Sequence, residues 1–254
     1  VSDLKVPDCS DSILQSTSQV LDAYFRETGG IDKWMSLQSI ILTYESRAAE
    51  GMTHPNPAFT EYVYSLGYKI CWKANDSTIY QRFVSSTVPD NDSTTTCYNG
   101  INYWRHLKGH PPDYFPDFAR HYGRFVRMGE PMLVYTADSV ELLLVTPLPT
   151  KEYNLECYKL KVYIDGAEYH YFISTKLNRL EGYSDSSGRT LTLFSDYRPT
   201  NGLLLPFKER TFKDGILVSE FDYYKIETDK AVPACVFEPP SDNNIVLCVQ
   251  SFLN

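Results

Sequence analysis

Residues Leu155–Ser174 read LECYKLKVYIDGAEYHYFIS, and this stretch decides the fold. Two runs rich in aromatic and β-branched residues, Leu155–Ile164 and Tyr169–Ser174, flank Asp165-Gly166, a pair that tolerates the positive φ of a tight turn matching strand twist. That pattern is a β-hairpin. Asn201-Gly202 and Asp214-Gly215 repeat the signal, and Asn99-Gly100 makes a fourth. Successive hairpins mean an antiparallel meander, which excludes a doubly wound parallel sheet.

Working outward, period-two patterning broken by turn residues predicts further strands at Ile40–Arg47, Phe59–Leu66, Tyr68–Ala74, Thr78–Val84, Thr95–Tyr98, Ile101–His106, Val140–Thr146, Arg179–Tyr183, Thr190–Arg198, Leu204–Phe212 and Leu217–Ile226. In Tyr68–Ala74 the residues Tyr68, Ile70 and Trp72 point to one side and Lys69 and Lys73 to the other, as in a sheet with one wet face. In Tyr169–Ser174, by contrast, Tyr169, Tyr171 and Ile173 alternate with His170 and Phe172, so both sides are apolar.

Helical spacing appears twice. Between Ser12 and Thr28, Ile13, Leu14, Val20, Leu21, Tyr24 and Phe25 form an apolar stripe, with Ser10 or Asp11 as N-cap and Gly29-Gly30 as the stop. A short helical turn over Ile31–Leu37 follows. The second stripe, Phe115, Phe118, Tyr122, Phe125 and Val126, lies between His110-Pro111-Pro112-Asp113 and Gly129-Glu130-Pro131 and predicts a helix over Phe115–Met128. Such a helix is either ordinary core or the cover of a cavity. One long sheet with two helices has to curl to cover this much apolar surface. The expected class is mainly β (α+β): a single strongly curved antiparallel sheet of roughly ten or more strands, an incomplete β-barrel wrapped over an N-terminal helix and a mid-chain lid helix. No repeat or charged linker divides the chain, so one domain is expected over 1–254, with a core of about 12–240 and an extension over 241–254.

With 24 basic and 32 acidic residues among 254, the chain carries a formal charge of −8, which disfavours nucleic acid as a partner. No run approaches the ~20 apolar residues of a membrane-spanning helix, and Val1-Ser2-Asp3-Leu4 lacks a signal-peptide pattern, so a soluble chain is expected. Six cysteines, at 9, 71, 97, 157, 235 and 248, include no C-x-x-C. Cys235 and Cys248, close in sequence near the C-terminus, are the best disulfide candidates. No nucleophile elbow, phosphate-binding loop, dinucleotide fingerprint or H-E-x-x-H occurs. His106 and His110 are four apart, but Gly109 and two prolines place them in a loop. No catalytic residue, metal site or cofactor is expected.

Several spaced motifs run through the chain in a recognisable order. Ala23-Tyr24 leads to Thr28-Gly29-Gly30, Asp32-Lys33-Trp34, Leu37 and Ser39-Ile40; then come Cys97-Tyr98-Asn99-Gly100 with Trp104, and Cys157–Val162. Tyr171-Phe172-Ile173-Ser174-Thr175 with Leu177 follows, then Phe194–Arg198 with Asn201-Gly202 and Pro206-Phe207, and finally Phe237-Glu238 with Pro240. This order resembles the outer-membrane lipoprotein-sorting proteins of the LolA/LolB-like fold. The resemblance implies an incomplete barrel closing over helices around an apolar cavity. It further implies non-enzymatic binding or carriage of a lipid, a lipoprotein acyl chain or another apolar ligand by an exported, monomeric protein of the periplasm or outer membrane. A sensor or scaffold that uses the half-barrel to bind envelope proteins is the competing expectation. The residues expected at the cavity and its cover are Trp72, Trp104, Phe115, Phe118, Tyr122, Phe125, Tyr171 and Leu193.

Overall fold

Asp165 and Gly166, Asn201 and Gly202, and Asp214 and Gly215 all adopt positive φ, between 48° and 80°, and each pair closes a hairpin. The computed structural model describes residues 14, 16–49, 62–73, 78–88, 93–122, 126–150, 155–240, 248 and 251–252. In chain order the elements are helices α1 (Thr17–Glu27) and α2 (Ile31–Ser36), then strands β1 (Ser39–Ala49), β2 (Tyr62–Lys73), β3 (Ile79–Val88), β4 (Ser93–Tyr98), β5 (Tyr103–Leu107) and β6 (Asp113–Tyr114). Helices α3 (Pro116–Tyr122) and α4 (Glu130–Tyr135) precede β7 (Ser139–Pro147), β8 (Glu156–Ile164), β9 (Ala167–Ser174), β10 (Leu180–Asp185), β11 (Thr190–Thr200), β12 (Leu203–Lys213) and β13 (Ile216–Thr228), and a 3-10 turn spans Ala234–Phe237.

All the strands belong to one antiparallel sheet that is not closed, in the order β6-β5-β4-β3-β2-β1-β13-β12-β11-β10-β9-β8-β7. The pairing of β1 with β13, Ile40 opposite Thr228, joins two meanders and leaves β6 and β7 at opposite edges. Helices α1, α2 and α4 cover one face. Val20, Tyr24 and Val134 pack on Leu160, Tyr171 and Phe194, while Trp34 and Leu37 pack on Ile40, Leu205 and Ile226. The sheet curves strongly around this inner face: Lys69 of β2 and Tyr171 of β9 line one cavity, yet they stand six steps apart in the strand order, about 29 Å along a flat sheet.

The segment that follows β13 covers part of the outer face. Val232, Val236 and Phe237 pack on Ile41, Ile70, Cys97 and Trp104. Arg82 donates through Nη1 to the Val236 carbonyl at 2.6 Å, and Trp72 stacks on Phe237 with ring centroids 5.5 Å apart. Cys235 and Cys248 form a disulfide with Cα atoms 6.5 Å apart, while Cys71, Cys97 and Cys157 are buried thiols.

The structure corrects several expectations. The first helix is shorter than Ser12–Thr28: its N-cap is Ser16, whose hydroxyl accepts from the Gln19 amide, whereas Ser10 and Asp11 lie outside the described residues. The strands expected at Phe59–Leu66 and Tyr68–Ala74 are one strand over its described part. Gly67 is an interior position at which a Cβ would collide with the Val84 carbonyl and with the Tyr44 ring, whose hydroxyl donates to that same carbonyl at 2.7 Å. The helix expected over Phe115–Met128 is not continuous. It ends at Tyr122 in its described part, Val126–Met128 is not helical, and a separate helix starts at Glu130. Gly129-Glu130-Pro131, expected as a break, starts α4 because proline in the first turn of a helix gives up no intrahelical hydrogen bond.

Candidate functional site

Beneath α4 lie two adjoining chambers, of about 110 and 200 Å³, both bordered by Lys69, Arg127, Gly129 and Glu130. The first is largely apolar, with walls from Trp34, Ile40, Leu42, Phe194, Leu205 and Ile226. The second is bounded by Ile164, Leu133 and the rings of Tyr169, Tyr171 and Tyr183. Beyond Trp34 and Met128, which also border the first chamber, runs an apolar groove of about 420 Å³ lined by Met35, Leu37, Ile79 and Met132. Gly129 is required at the turn into α4. It adopts φ 148°, and a Cβ there would meet Trp34 Cζ3 at 2.6 Å.

Two carboxyl groups face this interior. Tyr171 Oη donates to Glu130 Oε2 at 3.1 Å, and Tyr223 Oη donates to Glu209 Oε2 at 3.1 Å. Burial pushes the Glu130 carboxyl up to about 7, and the neighbouring Glu209 charge adds to the rise, while Lys69 and the Tyr171 hydroxyl oppose it. Glu209 is raised as well, again chiefly by burial, against the charge of Lys69 and the bond from Tyr223. Glu130 keeps some exposure as a residue because its surface borders the chambers. A like charge in a poorly solvated space disfavours ionisation, and the Glu209 carboxylate acts on Glu130 in this way. Burial also drives the hydroxyls of Tyr24, Tyr171, Tyr197 and Tyr223 well above the usual tyrosine range, and all four remain neutral. Arg127 turns its guanidinium to α4, donating to Thr136 Oγ1 at 2.9 Å and to the Val126 carbonyl at 2.8 Å.

Cys71 borders the apolar chamber, but burial raises its thiol and keeps the nucleophilic thiolate scarce. The Thr28 hydroxyl donates to the carbonyls of Tyr24 and Phe25.

Of the residues expected at the cavity, Tyr171 lines it. Trp72 and Trp104 lie on the outer face under Phe237, and Leu193 lies on that face with Cys157 and Phe172. Phe115 and Phe118 sit near the β6 edge against Tyr103, with centroids 6.1 and 4.6 Å from its ring, and Phe118 is 49% exposed. Tyr122 ends α3, and Phe125 lies outside the described residues. The cover over the chambers is α4. Lys69, expected on a solvated face, borders both chambers instead, while Lys73 donates to the Met35 carbonyl at 3.2 Å. Glu209 was not among the expected residues, although the sequence holds a signal for it: the residue continues the period-two series Leu203, Leu205, Phe207, a carboxylate in an apolar row.

No protein-family model matches the sequence, and no curated protein matches it. Solved structures do. A DUF1329 family protein from Desulfovibrio piger superposes with a TM-score of 0.59 at 12% identity, covering 89% of this chain and 98% of that one. A LolA superfamily protein from Nitrosomonas europaea superposes with a TM-score of 0.57 at 11% identity, again covering 89% and 98%. At such identities the likeness concerns architecture, and it agrees with the open sheet and the helices on its inner face: the chain has a LolA-like fold.

Proposed function

We propose that this protein is a non-enzymatic binder or carrier of a lipid, a lipoprotein acyl chain or another apolar ligand in the cell envelope. The observation that carries this reading is the pair of chambers under α4, whose walls come from strands on both arms of the curved sheet. Each chamber is smaller than the roughly 300–1,000 Å³ of a typical small-molecule pocket. A long ligand therefore enters with displacement of α4, a helix of six residues, and the methionine-lined groove beyond Trp34 and Met128 offers space for its remainder. Likeness to a LolA superfamily protein supports the reading at the level of fold.

The same small volumes favour a second reading, a scaffold whose half-barrel is filled by its own side chains and binds envelope proteins. Mass spectrometry of organic extracts from gently purified protein, together with titration of a fluorescent fatty acid, separates the two. Binding predicts a co-purifying lipid or saturable uptake of the probe. Neither result would remove the carrier reading and leave the scaffold.

A further inference from the structure

Three of the chain's four methionines, Met35, Met128 and Met132, line the groove of about 420 Å³ beyond Trp34. Methionine side chains are flexible and polarizable, and surfaces that accept varied apolar ligands are rich in them. The groove continues the cavity along one strand. Lys69, Cys71 and Lys73 share a face of β2; the first two border the first chamber, and Lys73 borders the groove, about 13 Å from Lys69 along the strand. Among the described residues that line the groove, the charged ones are Lys73 and Arg127, and none is acidic. Arg127 also borders both chambers beside Glu130, so its charge is shared with them. Lys73 borders neither chamber. Its ammonium donates to the Met35 carbonyl at 3.2 Å, in the last turn of α2, and pairs with no carboxylate among the described residues.

We propose that the groove takes a single-chain amphiphile with a carboxylate head, a fatty acid, whose head meets the Lys73 ammonium and whose tail runs past Met128 and Trp34 toward Cys71 and the first chamber. This rests on the reading of the chambers as a ligand site and adds the chemistry of the head and its place. An ammonium has three donors, and the Met35 carbonyl takes one of them. A carboxylate brings a full opposite charge to the others, between apolar walls that strengthen the attraction relative to water. An alcohol head brings no charge, and an ammonium head is repelled. A single lysine suits a singly charged head better than a phosphate monoester, which carries close to two charges above about pH 6. Lys73 therefore discriminates among heads on tails of equal length.

Dodecanoate, dodecanol, dodecylamine and monododecyl phosphate, titrated below their aggregation limits into the full chain at pH 8, test this by competition against a fluorescent acyl probe. Dodecanoate is expected to bind about ten-fold or more tighter than dodecanol, and tighter than the amine or the phosphate. Because the chain carries a formal charge of −8, its overall field opposes the anion, so such a ranking has to come from a local group. K73M, which keeps the apolar stem, should bring dodecanoate to the level of dodecanol while leaving dodecanol binding within about two-fold, and K73R should restore the preference. K73Q repeats the comparison should K73M fold poorly. A preference for dodecanoate that persists in the variant lacking the charge would place the head elsewhere and overturn the proposal. Dodecanoate binding no tighter than dodecanol, or weaker than the amine or the phosphate, would overturn the head-group assignment and keep the cavity. Absence of saturable binding by all four would overturn both.

Discussion

Tyr171 Oη donates to Glu130 Oε2 at 3.1 Å, so the helix that covers the cavity is tied by hydrogen bond to strand β9 on its far wall. The acceptor is a carboxyl group that folding makes harder to ionise, which couples closure of the cavity to pH.

The sign follows from proton linkage. The folded chain holds the Glu130 proton up to about 7, against 4.5 for an ordinary glutamate, so folding takes up protons between those values and stability falls as pH rises through them. The full effect is at most about 3 kcal/mol. Urea unfolding at pH 4.5 and pH 8 should show E130Q losing less stability than the native chain over that interval. An equal or larger loss in the variant would contradict the assignment.

Gly129 lies against the Trp34 ring, whose Nε1 donates to the Thr28 carbonyl at 3.1 Å. Adding a methyl group forces the indole from its place and strains a backbone already at positive φ. Gly129→Ala should cost about 2–4 kcal/mol in chemical denaturation, and it should loosen α4, seen as faster amide exchange over 130–135. Unchanged stability would mean that the indole has room to shift.

Phe118 and Val134 separate the expected lid from the observed one. Phe118→Ala removes a half-exposed ring resting on Tyr103 and should cost about 1 kcal/mol or less, without effect on acyl-probe binding. Val134→Ala, at a position of α4 that is 2% exposed and packs on the inner core, should cost about 1–3 kcal/mol and weaken probe binding. The opposite ranking of the two variants in the binding assay would return the cover to α3.

Arg82 reaches the carbonyl of Val236, and Phe237 fills the space beside Trp72 and Trp104. Phe237→Ala should cost about 3–5 kcal/mol, as large as a loss from the inner core, although the residue belongs to the end of the chain. Intact-mass analysis should find Cys235 and Cys248 protected from alkylation until reduction. Ready alkylation of both without reduction would exclude the bridge.

The hairpins were legible because their signal is local: Asp-Gly or Asn-Gly at 165, 201 and 214 fixes a turn whatever the chain packs against. The cavity was not. Alternation establishes that Ile70 and Trp72 share one face and Lys69 and Cys71 the other, but strands apolar on both sides do not say which face the helices take. Lysines then marked the wrong face as wet, because Lys69 answers buried carboxyl groups rather than solvent. The helix boundaries failed for a related reason. Gly129-Glu130-Pro131 carries both a stop and a start, and only the fit of Trp34 against Gly129 decides between them.

Because the sheet does not close, β7 remains a nine-residue border rich in leucine, with Leu144 half exposed. A border of that kind is a template on which a second chain can add strands and begin an aggregate. Here Thr17 Oγ1, from the first turn of α1, accepts from the Leu142 amide at 2.9 Å, and the register slips between Leu142 and Leu144. An incoming strand would therefore find one amide already taken and the row out of step. The helix that lines the inner face thus also guards the molecule's solubility, and loss of its first turn would show itself as association between molecules before it appeared as loss of fold.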